Sequence, residues 1–274
     1  MAPAQTYNRF RALGAFVYTA QNLTDAQLAA FSGIGGKWFA PVIYGDDAAG
    51  PWNRANLPSL KQRAQRFNLE VAAWANVTAS KPNQQYATEI AKLVKQYQLP
   101  LLILDAELAY QYPSPGCQAL PELLLLLRTA LPTTDLLLSS LGPNNAYIYN
   151  GRTLTPPKSM YDLGWRHAPQ WYSSYYNKDG KSPQDRMSWL KANAHTDFNI
   201  KDDTAPSKRG LPLSYVHPTT EATGLEGSNL AEELRDIKAS QIYGMTAGIS
   251  YYTLENGPPS DMPLLAKYRN VLYV

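Results

Sequence analysis

Two carboxylates end a wholly apolar segment in the first half of the chain. Leu101 to Leu104 is followed directly by Asp105-Ala106-Glu107. A short apolar run of this kind is typical of a parallel strand that is buried on both faces. Because side chains alternate along a strand, Asp105 and Glu107 point to the same face. Two carboxylates held close together disfavour each other's charge, so one of them can keep its proton near neutral pH, as a general acid must.

Three interpretations of this pair stay open from the residues alone. The first is hydrolytic catalysis, with one carboxyl group as the acid. The second is a structural polar network, in which a nearby Lys or Arg compensates the charge. The third is a divalent metal site, which needs a third carboxylate on an adjacent strand. Asp46 and Asp47 follow the second predicted strand, which is not adjacent to the fourth, so we expect no metal and no other cofactor.

Strands and helices alternate along the chain. Eight apolar strand candidates, most of them followed by an amphipathic helix, recur at a spacing of roughly 25 to 40 residues. The predicted strands are 13–19, 37–44, 69–77, 101–107, 135–141, 168–176, 211–217 and 247–254, and the predicted helices are 26–31, 57–67, 82–97, 120–130, 183–194 and 230–243. Two of these helices follow capping-box sequences, Thr24 with Gln27 and Asn229 with Glu232. The pattern predicts an α/β protein with the (β/α)8 TIM-barrel fold. The alternative, a doubly wound open sheet, usually has a glycine-rich turn after its first strand, and this chain has none.

The domain organisation predicted from the sequence is simple. No internal repeat and no linker is evident, so we expect one barrel domain that spans residues 1–274. Residues 142–167 are rich in Pro, Asn and Tyr and have no clear periodicity, which predicts an elaborated loop. On a compact scaffold such a loop is more often functional than not.

Composition excludes several classes of partner. A net charge of +3 in 274 residues, without a run of basic residues, argues against nucleic acid. No run of eighteen apolar residues occurs, so we expect no membrane insertion. The single Cys117 excludes an internal disulfide framework, and residues 1–11 lack the apolar segment of a signal peptide. We therefore expect cytoplasmic synthesis, followed by release on lysis or by incorporation into a particle.

Candidate binding residues cluster where the predicted strands end, which is where the active site of an α/β barrel lies. These positions are rich in carboxylates, amides and aromatic rings and poor in Lys and Arg, a balance that suits a neutral polyol. The candidates for substrate binding are Trp74 and Asn76 on the third strand, Trp171 and Tyr175 on the sixth, Tyr215 on the seventh, and Tyr252 and Glu255 on the eighth. Glu221 and Glu255 could each supply a second carboxylate across the mouth of the barrel, although a loop Glu is usually solvated. His217 could act as a base, although a lone His at a strand end is more often structural.

A hydrophobic fourth strand that ends in Asp-x-Glu resembles the acid motif of glycoside hydrolases with a barrel fold. It is most similar to the chitinase-like and phage-lysozyme-like families that cut N-acetylated sugars. The resemblance implies that Glu107 is the general acid and that Asp105 assists attack by the substrate's own acetamido group. It also implies that Tyr172 or Tyr175 holds the acetamido oxygen and that Tyr252 lines the floor. The longer chitinase signature has further Asp residues upstream on the same strand, where this chain has Leu101 to Leu104.

The function predicted from these observations is cleavage of a polysaccharide of N-acetylated sugars, of the peptidoglycan or chitin type, by acid-assisted hydrolysis. The alternative is a catalytically inactive barrel that binds carbohydrate or serves as a structural module, with other virion or assembly subunits as partners. A metal- or phosphate-dependent barrel enzyme, such as an isomerase, is a third candidate. The shortage of Lys and Arg at the strand ends disfavours it.

Overall fold

The structure is a computed structural model that describes residues 9–45, 49–110, 119–140, 163–170, 172, 219–240 and 248–272. Within these ranges, no helix combines the length and the apolar character needed to cross a membrane.

The described part of the chain forms one sheet of parallel strands. Their bounds are β1 Leu13–Val17, β2 Gly36–Tyr44, β3 Glu70–Val71, β4 Ala73–Val77, β5 Leu101–Ala106, β6 Asp135–Ser140, β7 Trp165–Pro169, β8 Thr219–Glu221 and β9 Ile249–Tyr252. The strand order is β7-β6-β5-β4-β2-β1-β9-β8, and the short β3 pairs with β2 just before β4. A parallel bridge between Gln170 and Thr219 joins the end of β7 to β8. Since β3 and β4 share one position beside β2, the closed ring has eight positions. This is the (β/α)8 barrel that the sequence predicts.

Six α-helices lie among the described residues. They are α1 Asp25–Gly33, α2 Ala49–Arg66, α3 Asn83–Gln96, α4 Leu120–Ala130, α5 Leu230–Ser240 and α6 Asp261–Leu272. The predicted capping box before α1 is confirmed, because the Thr24 hydroxyl accepts the N–H of Gln27 while the Gln27 side chain accepts the N–H of Thr24. At α5, the side-chain oxygen of Asn229 accepts the N–H of Glu232 at 3.3 Å. Side-chain caps of this kind satisfy N–H groups that the first turn of a helix leaves free.

The alternation of side chains along β5 positions the site. Leu102 and Leu104 belong to the large cluster between the strands and the helices. Leu101 and Ile103 belong to a second cluster that includes Phe16, Trp38, Trp74 and Leu137. Asp105 and Glu107 continue the row of Leu101 and Ile103 at the same two-residue spacing. Along β5, the side chains that face this second cluster are therefore apolar first and then the two acids.

Glycine at position 14 is required by the packing of this second cluster. A Cβ atom there would lie 2.1 Å from the indole ring of Trp38, which is fully buried. The ring therefore occupies the space that the side chain of any other residue at position 14 would need. A substitution at Gly14 would force out the largest side chain of the cluster or shift the β1–β2 pair.

Two predicted boundaries were wrong. The sixth strand, β7, begins at Trp165 and not at residue 168, so part of the predicted loop 142–167 belongs to the sheet. Arg166 interrupts the apolar pattern there, and pairing with β6 defines the strand instead. The strand beside β9 is Thr219–Glu221, while the predicted 211–217 lies outside the described residues. Helix α2 begins at Ala49, eight residues before the predicted start, and it includes Pro58, a residue that usually breaks a helix. The predicted helix 183–194 also lies outside the described residues.

Candidate active site

A cavity of about 210 Å³ opens at the C-terminal ends of the strands. Six of the predicted site residues line it: Asp105, Glu107, Tyr172, Trp74, Asn76 and Tyr252. The other lining residues are Phe16, Tyr18, Ser139, Gln170 and Glu221. Because parallel strands present their carboxyl ends at one edge, residues far apart in the chain converge here. The described lining thus combines three carboxylates with five aromatic rings and contains no Lys or Arg.

Asp105 lies near the end of β5, between β4 and β6. Its side chain is 4% exposed, and the indole Nε1 of Trp74 donates a hydrogen bond to its Oδ2 at 3.2 Å. The sheet register places Asn76 of β4 and Ser139 of β6 on either side of it. A buried carboxylate must be compensated by hydrogen bonds, and the indole provides one. Asp105 is therefore held in a defined position against the aromatic wall of the cavity.

Glu107 follows β5 directly and reaches the same cavity. The side-chain amide of Gln170 donates a hydrogen bond to its Oε1 at 2.5 Å. Burial raises the pKa of Glu107 above its ordinary value, while hydrogen bonds with Gln170 and Asp105 act in the opposite direction. Burial dominates because a charge removed from water is costly. Glu107 therefore keeps its proton to a higher pH than an exposed glutamate and is suited to the role of a general acid.

Aromatic rings form the wall of the cavity beside the acids. The rings of Tyr172 and Tyr252 are stacked, with centroids 5.9 Å apart and an interplanar angle of 24°. The ring of Trp74 packs edge-to-face against the rings of Tyr252 and Phe16, with centroid distances of 5.9 Å and 5.2 Å. Burial, reinforced by the neighbouring Asp105, raises the pKa of Tyr252, so its hydroxyl stays protonated and can donate. Flat apolar faces with polar hydroxyl edges are the surfaces that pack against sugar rings.

Glu221 is the third carboxylate of the cavity, so of its two interpretations the solvated loop residue was wrong. It is the last residue of β8 and only 3% exposed. The hydroxyl of Ser228 donates a hydrogen bond to its Oε2, and its backbone N–H donates to Oε2 of the buried Glu233 at 2.7 Å. Glu221 has this environment because it belongs to the strand Thr219–Glu221 and not to a loop.

Tyr18 and Ser139 lie near the ends of the predicted strands 13–19 and 135–141, whereas the other two lining residues, Phe16 and Gln170, were not predicted. Gln170 lies two residues before Tyr172, and Phe16 two before Tyr18, so the alternation rule applied to the strand ends would have found both. Each was overlooked because it was read as part of a strand interior. Gln170 is also the residue through which β7 bridges to β8, so it takes part both in closing the barrel and in binding Glu107.

Glu255 does not line the cavity. Its Oε1 accepts the backbone N–H groups of Tyr18 and Thr19, at 2.7 and 2.9 Å, and the residue is 9% exposed. Burial raises the pKa of its carboxyl group against the effect of these hydrogen bonds. The carboxylate thus ties the loop after β9 to the end of β1, a position that favours a supporting role over contact with substrate.

The remaining predicted residues, Trp171, Tyr175 and Tyr215, lie outside the described residues, as do Asp46, Asp47, Cys117 and His217. Their roles stay predictions. Among the residues that are described, no group of three or more His, Cys, Asp or Glu side chains could hold a metal ion.

No family profile and no curated protein sequence matches the chain. Solved structures do match its fold. A GH18 chitinase from Pseudoalteromonas aurantia superposes with a TM-score of 0.60 at 14% identity, over 94% of this chain and 99% of that one. A thermostable chitinase domain from Pyrococcus furiosus, studied in complex with chito-oligosaccharides, gives 0.65 at 12% identity, over 96% of each chain. The spore cortex-lytic enzyme SleL from Bacillus megaterium QM B1551 gives 0.58 at 10% identity, over 93% of this chain and 73% of that one. At these identities the likeness shows the fold alone, a (β/α)8 barrel.

Proposed function

We propose that the protein is a glycoside hydrolase that cleaves a polysaccharide of N-acetylated sugars, of the chitin or peptidoglycan type, by acid-assisted hydrolysis. The observation that carries the proposal is the position of Asp105 and Glu107. Both follow the inward row of β5, both line one cavity at the C-terminal end of the barrel, and burial raises the pKa of Glu107. The solved structures with the same fold include chitinases and a cortex-lytic enzyme, which supports the same class of substrate.

Each step of the reaction has a residue in the cavity to perform it. Glu107 donates its proton to the glycosidic oxygen as the bond to the anomeric carbon breaks. The carbonyl oxygen of the substrate's acetamido group attacks that carbon, and Asp105 accepts the acetamido N–H and stabilises the positive charge that develops. Water then attacks the anomeric carbon, the bond from that carbon to the acetamido oxygen breaks and restores the acetamido group, and the water's proton passes to the Glu107 carboxylate, which restores the acid. Tyr172 holds the acetamido oxygen, and Trp74 and Tyr252 form the floor beneath the sugar.

A second candidate function follows from the size of the cavity. At about 210 Å³ it is smaller than a typical ligand pocket of roughly 300 to 1,000 Å³. A cavity of this size accommodates little more than one sugar, which favours a barrel that binds carbohydrate without cleaving it. Such a module would serve recognition or assembly, for example among the subunits of a virion.

Hydrolysis of chitin and peptidoglycan oligomers separates the two candidates. We expect the wild-type protein to turn over an N-acetylated oligomer and Glu107→Gln to lose about 10²- to 10⁴-fold in kcat, the usual contribution of a general acid. Glu122→Gln on α4 is the matched control, because Glu122 is exposed and distant from the cavity, and it should behave as wild type. Thermal unfolding of all three proteins checks that the fold is retained. Oligomer binding without turnover by the folded wild type would favour the non-catalytic barrel.

A further inference from the structure

A second cavity, of about 390 Å³, adjoins the first at the mouth of the barrel. It lies between the ends of β2 and β4 and the helices α2 and α3. Its lining residues are Tyr44, Gly45, Arg54, Asn76, Thr78, Lys81, Tyr86, Glu89, Lys92, Leu93 and Gln96. Asn76 lines both cavities, so the two are neighbours on this side of the barrel.

The charges of the two cavities are opposite. The first contains three carboxylates, Asp105, Glu107 and Glu221. Among its described lining residues, the second contains three cationic side chains, Arg54, Lys81 and Lys92, and one carboxylate, that of Glu89. The cationic groups come from two helices and a loop, so they are not among the residues at the strand ends from which the site was predicted.

Glu89, the acid among the described lining residues of the second cavity, is already compensated. Lys81 Nζ lies 3.0 Å from Glu89 Oε2 and 3.1 Å from the Tyr44 hydroxyl, which also donates a hydrogen bond to Glu89. These hydrogen bonds, that of Tyr44 first, lower the pKa of Glu89 to about 2, so it stays ionised and paired with Lys81. The positive charges of Arg54 and Lys92 then remain in excess. Arg54 directs Nη1 to the carbonyl oxygen of Ile43 at 2.7 Å, which anchors its guanidinium at the rim of β2.

Aromatic faces accompany these charges. The rings of Tyr44 and Tyr86 meet edge-on with centroids 6.0 Å apart, and Lys81 Nζ lies 5.2 Å and 5.9 Å from their centroids. Tyr44 and Tyr86 are only 8% and 2% exposed, so their rings serve to position Lys81. The excess of cationic side chains among the described lining residues suits a sugar that carries a carboxylate. The first cavity, lined by acids, would repel such a sugar.

On the basis of the proposed function, we infer that the second cavity binds the acidic sugar next to the one that is cleaved. The substrate is then a peptidoglycan-type strand, in which neutral N-acetylated sugars alternate with sugars that carry a lactyl carboxylate or a peptide. A neutral sugar occupies the cavity of Asp105 and Glu107, and its acidic neighbour places its carboxylate among Arg54, Lys81 and Lys92. Chitin, which is neutral throughout, fills the first cavity equally well and gains nothing from the second.

Calorimetric titration tests this inference without turnover when every protein carries Glu107→Gln. The two ligands are a tetrasaccharide of alternating N-acetylglucosamine and N-acetylmuramic acid, and chitotetraose. Lys92→Gln is the test variant because Lys92 is exposed on α3 and its replacement leaves the Lys81–Glu89 pair intact. Lys95→Gln is the control, an exposed lysine on the same helix that does not line the cavity. We expect Lys92→Gln to raise the Kd for the acidic ligand by about five- to tenfold, as loss of one charged contact does. Chitotetraose binding and the Lys95→Gln variant should be unchanged.

Each other outcome has a definite meaning. An equal loss for both ligands, an equal effect of Lys95→Gln, or no preference for the acidic tetrasaccharide would overturn the inference. If that happens while the wild-type protein, with Glu107 intact, still hydrolyses chitotetraose, the proposed function stands without it. Lys92-dependent binding of the acidic ligand with no turnover by the wild type would instead remove the hydrolase and retain the acidic-glycan cavity.

Discussion

The amide of Gln170 donates a hydrogen bond to the carboxylate of Glu107, a residue 63 positions earlier in the chain, at 2.5 Å. The two residues come from β5 and from the end of β7, which lie on either side of β6. A donor aimed at a carboxylate favours its charged form, so Gln170 lowers the pKa of Glu107 against the effect of burial. The pKa of the candidate acid is therefore set by a contact across the barrel.

Replacement of Gln170 by Met should shift the pH dependence of hydrolysis. Without the amide donor, the pKa of Glu107 rises further, and the protonated acid persists to higher pH. We expect the basic limb of kcat/KM against pH to move upward, while the acidic limb stays in place. Gln62→Met, at an exposed position on α2, should leave the profile unchanged. A basic limb that does not move, in a folded Gln170→Met protein, would show that Glu107 is not the acid that the profile reports.

The indole of Trp74 should matter for catalysis through its hydrogen bond to Asp105. Trp74→Phe keeps an aromatic ring beside Phe16 and Tyr252 but removes the donor. A hydrogen bond to a charged group typically contributes about 1.5 to 3 kcal/mol, so we expect kcat to fall roughly 10- to 100-fold. Steady-state kinetics with an N-acetylated oligomer measure this loss.

Trp165→Phe is the control for that experiment. Trp165 is also buried, and its indole donates to the carbonyl oxygen of Leu124 at 3.2 Å, but it packs between the sheet and the helices. Its replacement should lower the free energy of unfolding without changing kcat. If both variants reduce kcat equally, the effect reflects general loosening of the barrel and not the Trp74–Asp105 bond.

Glu255 should make the stability of the protein depend on pH. Burial raises the pKa of its carboxyl group in the folded state above the ordinary value of 4.5. The folded state therefore binds the proton more tightly than the unfolded state, and this contribution is present below the ordinary pKa and is lost as pH rises through the folded one. Glu255→Gln keeps a carbonyl acceptor for Tyr18 and Thr19 but cannot ionise. In urea unfolding at about pH 4, 6 and 8, the free energy of unfolding should fall less with rising pH for the variant than for wild type.

The decline will not vanish in Glu255→Gln, because burial shifts the pKa of Glu107 in the same direction. In the double variant with Glu107→Gln, the free energy of unfolding should depend even less on pH. Glu122→Gln, at an exposed position, should decline as wild type does. A Glu255→Gln protein that declines as steeply as wild type would contradict the raised pKa.

Arg9 should stabilise the opposite end of the barrel from the site. Its guanidinium binds Glu70 at 2.7 Å and Asp135 at 3.0 Å, at the starts of β3 and β6. The three side chains are about a third exposed or less, so solvent screens the ion pairs, and we expect Arg9→Met to cost about 1 kcal/mol of unfolding free energy. Arg66→Met removes a more exposed pair with Asp25 and should cost less than about 0.5 kcal/mol. Urea unfolding measures both, and equal costs would mean that the two-carboxylate arrangement adds nothing.

The sequence by itself determined the elements and the orientation of the acids. Hydrophobic periodicity and capping residues are local properties, so the alternation of strands and helices and the cap at Thr24 could be predicted and are confirmed. The two-residue spacing of Asp105 and Glu107 is equally local, and it places both side chains on one face. The barrel fold followed from the number and order of these elements.

The tertiary structure alone decided which residues surround the acids. The bond from Gln170 to Glu107, the bridge from Gln170 to Thr219 and the burial of Glu221 all depend on segments that are distant in the sequence and meet only in the folded barrel. Local periodicity contains no information on such contacts. In addition, β7 and β8 are short strands, and their polar residues interrupt the apolar pattern by which a strand is predicted. The cationic cavity has the same origin, because Arg54, Lys81 and Lys92 come together only when α2 and α3 pack against neighbouring strands.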